Sequence, residues 1–146
     1  MSYPILEIPF ATPAFDEALR LRNDILRVPL GLEFYPEDII KECDETHLGI
    51  YSPDFQLLGC LTLRKLNEQT LKMRQVAIAE SVQGLGLGRQ LVEASEEWAR
   101  VHNFSNMSLH AREVAVPFYK KLSYLIEGQR FMEVNIPHFK MIKKII

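Results

Sequence analysis

The sequence predicts a mixed α+β fold, a sheet with helices packed on its faces, in the order β-α-α-β-β-β-α-β-α-β-β. Three observations carry this. The apolar residues change repeatedly between alternating and helical spacing along the chain. The connections are short, with no repeat, low-complexity tract or linker. One glycine-rich loop, Gln83 to Gly88, stands between a strand and a helix. At 146 residues the chain suits one domain, 1–146, with its own hydrophobic core.

Each element has its own signal. Tyr3 to Ile8 is a short apolar strand. Thr12-Pro13 reads as an N-cap followed by a favoured first helical residue. Phe15, Ala18, Leu19, Ile25 and Leu26 then recur at helical spacing, until Pro29 and Gly31 stop the helix. Pro36 opens a shorter helix through Ile39 and Ile40. Three strands follow, His47 to Tyr51, Gln56 to Leu66 and Leu71 to Ala79, with turns at Ser52-Pro53-Asp54 and Asn67-Glu68. After the glycine-rich loop, Leu87, Leu91, Ala94, Trp98 and Val101 form the stripe of the clearest helix. Met107, Leu109 and Ala111 alternate with Ser108 and His110, as in a half-buried strand. Pro117 begins a helix with Phe118, Tyr119 and Leu122. Leu125 to Val134 and Phe139 to Ile145 close the chain as strands, joined by a hairpin through Asn135-Ile136-Pro137-His138.

Composition narrows the function. Apolar residues are 47% and charged residues 25%, near the globular average, and net charge is -2. No basic face marks a nucleic-acid partner; the Lys140, Lys143, Lys144 tail alternates with apolar residues like a strand. No segment approaches the ~18 apolar residues of a membrane span, and Met1 to Phe10 lacks a signal-peptide pattern. Cys43 and Cys60 read as free thiols of a reducing, cytoplasmic setting. His47, His102, His110 and His138 are scattered, so no metal site is proposed.

The loop Gln83-Gly84-Leu85-Gly86-Leu87-Gly88 decides the chemistry. Its glycines allow a tight turn with exposed N–H groups, and the following helix adds its positive end. Together these suit a pyrophosphate. A Walker loop needs Gly-Lys-Ser/Thr, but the chain reads Gly88-Arg89-Gln90. A dinucleotide loop needs glycine at 89 and an acidic residue ~20 further on, and both are missing. The pattern Q/R-x-x-G-x-G/A does fit, at Gln83, Gly86 and Gly88, with Arg89 adding charge.

The stretch Val76 to Val92 resembles the acetyl-CoA motif of the GNAT acetyltransferases. Phe118-Tyr119-Lys120-Lys121-Leu122-Ser123-Tyr124 resembles the family's F-Y-x-x-x-G-F helix, at the usual separation. The resemblance is specific over about residues 71 to 128, and the ending Phe131 to His138 with Met141 resembles a subgroup of uncharacterised bacterial members. It implies a mostly antiparallel sheet with helices on both faces. Ser123 departs from the usual glycine; if its φ is positive, serine costs on the order of 1 kcal/mol. Tyr124 departs mildly from Phe.

The resemblance also implies a reaction: an amine of a small molecule or peptide attacks acetyl-CoA directly. Strand 71–79 should splay from strand 107–111, so that the backbone of Val76 and Ile78 pairs with the pantetheine arm. The N–H of Val76 or Ala77 would stabilise the oxyanion. Gln83, Gly84, Leu85, Gly86, Leu87, Gly88 and Arg89 would hold the phosphates, and Phe118 and Tyr119 would also contact the cosubstrate. On spacing alone Tyr119 reads as a core tyrosine; the Phe-Tyr motif makes it the general acid. His110 and Glu113 are the candidates for base, ahead of Glu80 and His138, and a water chain would also serve. Arg112 and Glu113 could instead form a surface pair. Arg20, Arg22, Glu33, Tyr35 and Arg74 are expected around the acceptor. A homodimer is a family-level expectation. The competing reading is a GNAT-fold module that binds acyl-CoA without turnover.

Overall fold

The computed structural model describes residues 3–146. Its elements are β1 (Ile5–Glu7), α1 (Pro13–Arg22), α2 (Pro36–Ile40), β2 (Thr46–Tyr51), β3 (Leu57–Lys65), β4 (Thr70–Ile78), α3 (Leu87–Val101), β5 (Asn106–Arg112), α4 (Val116–Lys121), β6 (Leu125–Ile126), β7 (Phe131–Glu133) and β8 (Ile136–Lys144). The strands form an eight-stranded sheet in the order β1-β2-β3-β4-β5-β8-β6, with β7 also paired to β8. β4 and β5 run parallel; the β1–β2, β2–β3, β5–β8, β6–β8 and β7–β8 pairs are antiparallel. The fold is thus the mixed, mostly antiparallel sheet with helices that the sequence predicts.

The residues gather into two compact units. The first runs to Leu63 and adds Gln75–Ser95; the second comprises Arg64–Arg74 and Glu96–Ile146.

In the first unit, Thr12 caps α1 as expected, its Oγ1 accepting from the Phe15 N–H at 3.2 Å. The helical path continues past Arg22 as a π-turn, Asn23–Arg27, and a 3-10 turn, Val28–Leu30, and left-handed Gly31 ends it at φ 69°. Phe15 and Ala18 of α1 pack with Ile8, Cys60 and Ala77 into the core. Arg22, expected near the acceptor, is instead a core residue, 1% exposed. It makes a two-pronged ion pair with buried Glu42, at 2.8 and 2.7 Å. Its guanidinium lies 5.0 Å from the Phe34 ring. Nothing local in the sequence links positions so far apart.

Four further expectations in the second unit and along α3 are corrected. The buried stripe of α3 is Leu87, Leu91, Val92, Ser95, Glu96 and Ala99; Val101 is 67% exposed and Trp98 stacks on His102. Glu96 could join a buried face because it has partners: the Tyr124 hydroxyl donates to it at 2.8 Å and Lys143 Nζ at 2.9 Å. The single strand expected over 125–134 is two, β6 and β7, separated by Gly128 at φ 85°. The hairpin turn is only Val134-Asn135, at φ 46° and 61°, so Ile136, Pro137 and His138 already belong to β8. Two consecutive positive φ values define a two-residue turn whose twist matches the strands. Ser108 is also buried, so β5 is covered on both faces there rather than half-buried.

Candidate functional site

The residues expected to hold the phosphates, Gln83 to Arg89, lie in the first unit. β4 approaches β3 closely because Gly59 has no side chain: a Cβ there would meet Ile78 Cδ1 at 2.5 Å and the Ala77 carbonyl at 3.1 Å. The Ala79 N–H donates to the Leu58 carbonyl at 2.8 Å as β4 ends. A 3-10 turn, Glu80–Val82, then leads into the loop. Gln83 Nε2 donates to the Ile78 carbonyl at 2.9 Å, tying the loop back to the strand. Gln83 thus acts as a clamp and engages one lone pair of the carbonyl expected to meet pantetheine.

Gly84 and Gly86 both take left-handed backbone, at φ 81° and 84°, and a Cβ on either would meet nothing within 4 Å. Glycine is required here for conformation rather than for room. Leu87, Leu91 and Val92 are fully buried and fix the first turns of α3. The helix therefore starts at a defined place, with open space over the glycines that precede it. Arg89 is exposed and pairs with Glu93 at 3.0 Å, a contact worth little in solvent.

Gln75 is left-handed, at φ 56°, within β4. A non-glycine residue there costs on the order of 1 kcal/mol, and such outliers gather where a strand must re-aim its groups. Val76, Ala77 and Ile78 follow it directly. The β4–β5 ladder pairs Thr70–Met73 with Asn106–Leu109. β4 continues past these pairs to Ile78 and β5 to Arg112.

Tyr119 lies in the second unit. Pro117 opens α4, and Tyr119 is 8% exposed, its ring edge-on to Phe118 at 4.9 Å and to Tyr124 at 5.7 Å. Burial pushes its hydroxyl up to about 12, so it stays protonated at neutral pH. The helix ends through Ser123, which takes φ 73° and donates its N–H to the Lys120 carbonyl. The left-handed position usually held by glycine is therefore real. Tyr124 also does more than a Phe would, since its hydroxyl partners buried Glu96.

His110 and Glu113 are not brought into one cluster. Glu113 is held by Arg130 at 2.9 Å, both exposed, so Arg130 rather than Arg112 is its partner. His110 meets Glu133 Oε1 at 3.2 Å, Lys72 Nζ at 3.3 Å and the Phe131 ring at 5.0 Å. Glu133 and Lys72 carried no motif, and only the register of β4, β5, β7 and β8 gathers them. Cys60 is buried and burial pushes its thiol up to about 12, so it is inert at neutral pH; Cys43 is exposed. Among the described residues no helix is long and apolar enough to cross a membrane.

Comparison with known proteins gives this arrangement a family. The model of the acetyltransferase (GNAT) family matches residues 15–124. The uncharacterised protein YyaT of Bacillus subtilis strain 168 is 32% identical over 133 residues, 88% of each chain. An aminoglycoside 6'-N-acetyltransferase solved with coenzyme A superposes with a TM-score of 0.82 at 17% identity, covering 98% of this chain and 97% of that one. A GNAT acetyltransferase from Elizabethkingia anophelis, solved with acetyl-CoA, gives 0.75 at 16% identity, over 98% of each chain. With most of its length matched by the family model and by a full-length relative, the chain belongs to the GNAT acetyltransferase family.

Proposed function

We propose that the protein transfers acetyl from acetyl-CoA to a primary amine of a small molecule or peptide, by direct attack. One observation supports the catalytic half of this reading: Tyr119, which matches the tyrosine of the family's Phe-Tyr motif, is buried, and burial pushes its hydroxyl up to about 12, so it holds a proton to give. The cosubstrate reading is supported by family relatives solved with coenzyme A and acetyl-CoA.

Acetyl-CoA supplies an activated acyl thioester. The N–H groups of the Gly84 and Gly86 loop and the start of α3 would bind its pyrophosphate, with Arg89 adding charge. The backbone of Val76, Ala77 and Ile78 would hold the pantetheine arm. The Val76 or Ala77 N–H would donate to the oxyanion as it forms. Phe118 would pack at the thiol end, and Tyr119 would donate its proton to the departing sulfur. An acceptor ammonium has three N–H protons. One goes to a base before attack, one ends on sulfur by way of Tyr119, and one stays in the amide.

Two measurements test this. Acetyl-CoA should raise the melting temperature by mass action, by ~2.7 kcal/mol of stability at a hundredfold excess over Kd. A panel of primary amines (a polyamine, an aminoglycoside, an arylalkylamine and an amino-acid amide) should include one that releases free CoA thiol. A melting shift with no thiol from a broad panel would favour a binding module.

A further inference from the structure

The second unit contains a polar cluster that the family motifs do not touch. His110 on β5, Glu133 on β7 and His138 on β8 converge, with Lys72 on β4 beside them. His110 directly follows Leu109, the last β5 residue paired with β4. His138 is buried, 4% exposed, and its Nδ1–H donates to the Ile136 carbonyl at 2.8 Å. That bond fixes its ring, and its Nε2 faces Glu133 Oε2 at 3.6 Å. The other carboxylate oxygen, Oε1, lies 3.2 Å from Nδ1 of His110. Phe131 packs between the two imidazoles, at 5.0 and 5.9 Å. The two-residue turn at Val134-Asn135 sets the register that places Glu133 and His138 together. Its φ of 46° at a β-branched residue is the kind of strain that persists only where surrounding contacts enforce it.

The faces are informative. His110 lies opposite Lys140 in the β5–β8 ladder, so their side chains share a face. Lys143, three residues on in β8, points to the other face. There it meets Glu96 at 2.9 Å and the Tyr124 ring at 5.5 Å, and Tyr124 packs on Tyr119. Within this unit, His110 and Tyr119 therefore stand on opposite faces of the sheet.

We propose that Glu133 is a positioning residue that makes His110 the base of the transfer. This rests on the acetyltransferase reading above. A carboxylate can only accept, so the Glu133 contact at 3.2 Å favours the proton on Nδ1 of His110, the tautomer that leaves Nε2 with its lone pair. Nε2 takes one proton from the acceptor ammonium, the neutral amine attacks the thioester carbonyl, the C–S bond breaks as Tyr119 protonates sulfur, and the second nitrogen proton passes through solvent to the Tyr119 phenolate, leaving the neutral amide. Water then removes the proton from His110. Lys72 Nζ, 3.3 Å from the same Nδ1, competes by favouring the opposite tautomer. The charged and titratable groups facing His110 are thus Lys72 from β4, Glu133 from β7, and His138 and Lys140 from β8.

The first test needs no acceptor. Nitrogen-15 NMR of the wild-type protein above the titration of its histidines should show the Nδ1–H tautomer for His110. Glu133→Ala should move it toward Nε2–H, while Glu133→Gln, which keeps an acceptor oxygen, should retain it. A wild-type Nε2–H tautomer, or no change in Glu133→Ala, overturns the proposal. With an amine found by thiol release, His110→Gln should lower kcat by ~10²-fold or more and remove the acid limb of the pH profile. Glu133→Ala should lower kcat with little change in the acetyl-CoA KM. An intact acid limb in His110→Gln overturns the assignment of the base. Should no amine release thiol, the acetyltransferase reading fails, and the tautomer measurement still decides what Glu133 does.

Discussion

At the scale of single residues, Tyr119 and Ser123 illustrate two ways in which a motif meets the structure. Tyr119→Phe removes one oxygen and keeps a ring that packs on Phe118 and Tyr124. The melting temperature and acetyl-CoA affinity should hardly change, while kcat and kcat/KM fall together by ~10²–10⁴-fold. Steady-state kinetics beside a thermal melt checks this. A drop below about threefold, with chemistry limiting, would leave Tyr119 a packing residue. Ser123 at φ 73° bears a cost that glycine would not. Ser123→Gly should therefore raise stability by ~0.5–1 kcal/mol in urea titrations, the gain reduced by the looser unfolded chain. A loss of stability would mean that the serine makes a compensating contact.

At the scale of elements, the proposed phosphate loop is built from a strand end, a clamp, glycines and a helix start that are consecutive in the chain. Gln83 anchors one side on Ile78, and Leu87 and Leu91 anchor the other. Gly86→Glu should fold, because its Cβ meets nothing within 4 Å, at a conformational cost of ~1 kcal/mol for φ 84°. It places a carboxylate where a pyrophosphate is proposed to bind, so the acetyl-CoA melting shift should disappear. A full shift in a folded Gly86→Glu protein would remove the loop from the binding surface. The elements read well from sequence where a cap, a proline or a left-handed glycine marks their ends, as at Thr12, Pro117 and Gly31. They read poorly at β6 to β8, where alternation ran on through Gly128 and a two-residue turn lacked the usual Asn-Gly.

At the scale of the whole molecule, buried titratable groups set the pH range of stability. His47 is buried, with Thr62 at 3.1 Å on Nδ1 and the Glu42 carbonyl at 3.2 Å on Nε2. Its affinity for a further proton is lowered from the ordinary 6.5, chiefly by burial. The unfolded chain thus gains a proton that the folded one resists, so stability is full above 6.5 and is lost as pH falls below it. Cys60 is raised from 9.0 to about 12, and Tyr119 from 10.0 to about 12, both by burial. Their contribution is full below 9 and is lost as pH climbs toward 12. Urea midpoints should therefore be flat between about 7 and 9 and fall on both sides. His47→Gln should shallow the acid fall, and Cys60→Ala should shift the alkaline onset upward. An acid limb of unchanged depth in His47→Gln would assign it to other groups.

The sequence by itself determined the family, the order of the main elements and the two motifs. It could do so because the glycine-rich loop and the Phe-Tyr helix are each contiguous in the chain, and their form depends on local backbone conformation. It also flagged Ser123 correctly, because a left-handed helix end is a local property. Only the tertiary structure decided which long-range partners the charged residues take. Arg22 joins Glu42 in the core, Glu96 is buried because Tyr124 and Lys143 meet it, and Glu133 is brought between His110 and His138. Each of these contacts crosses between elements, and a one-residue change in strand register would turn such side chains to the other face. No spacing along the chain encodes them, so whether an Arg, Glu or His is solvated, buried or poised at a site is settled by packing.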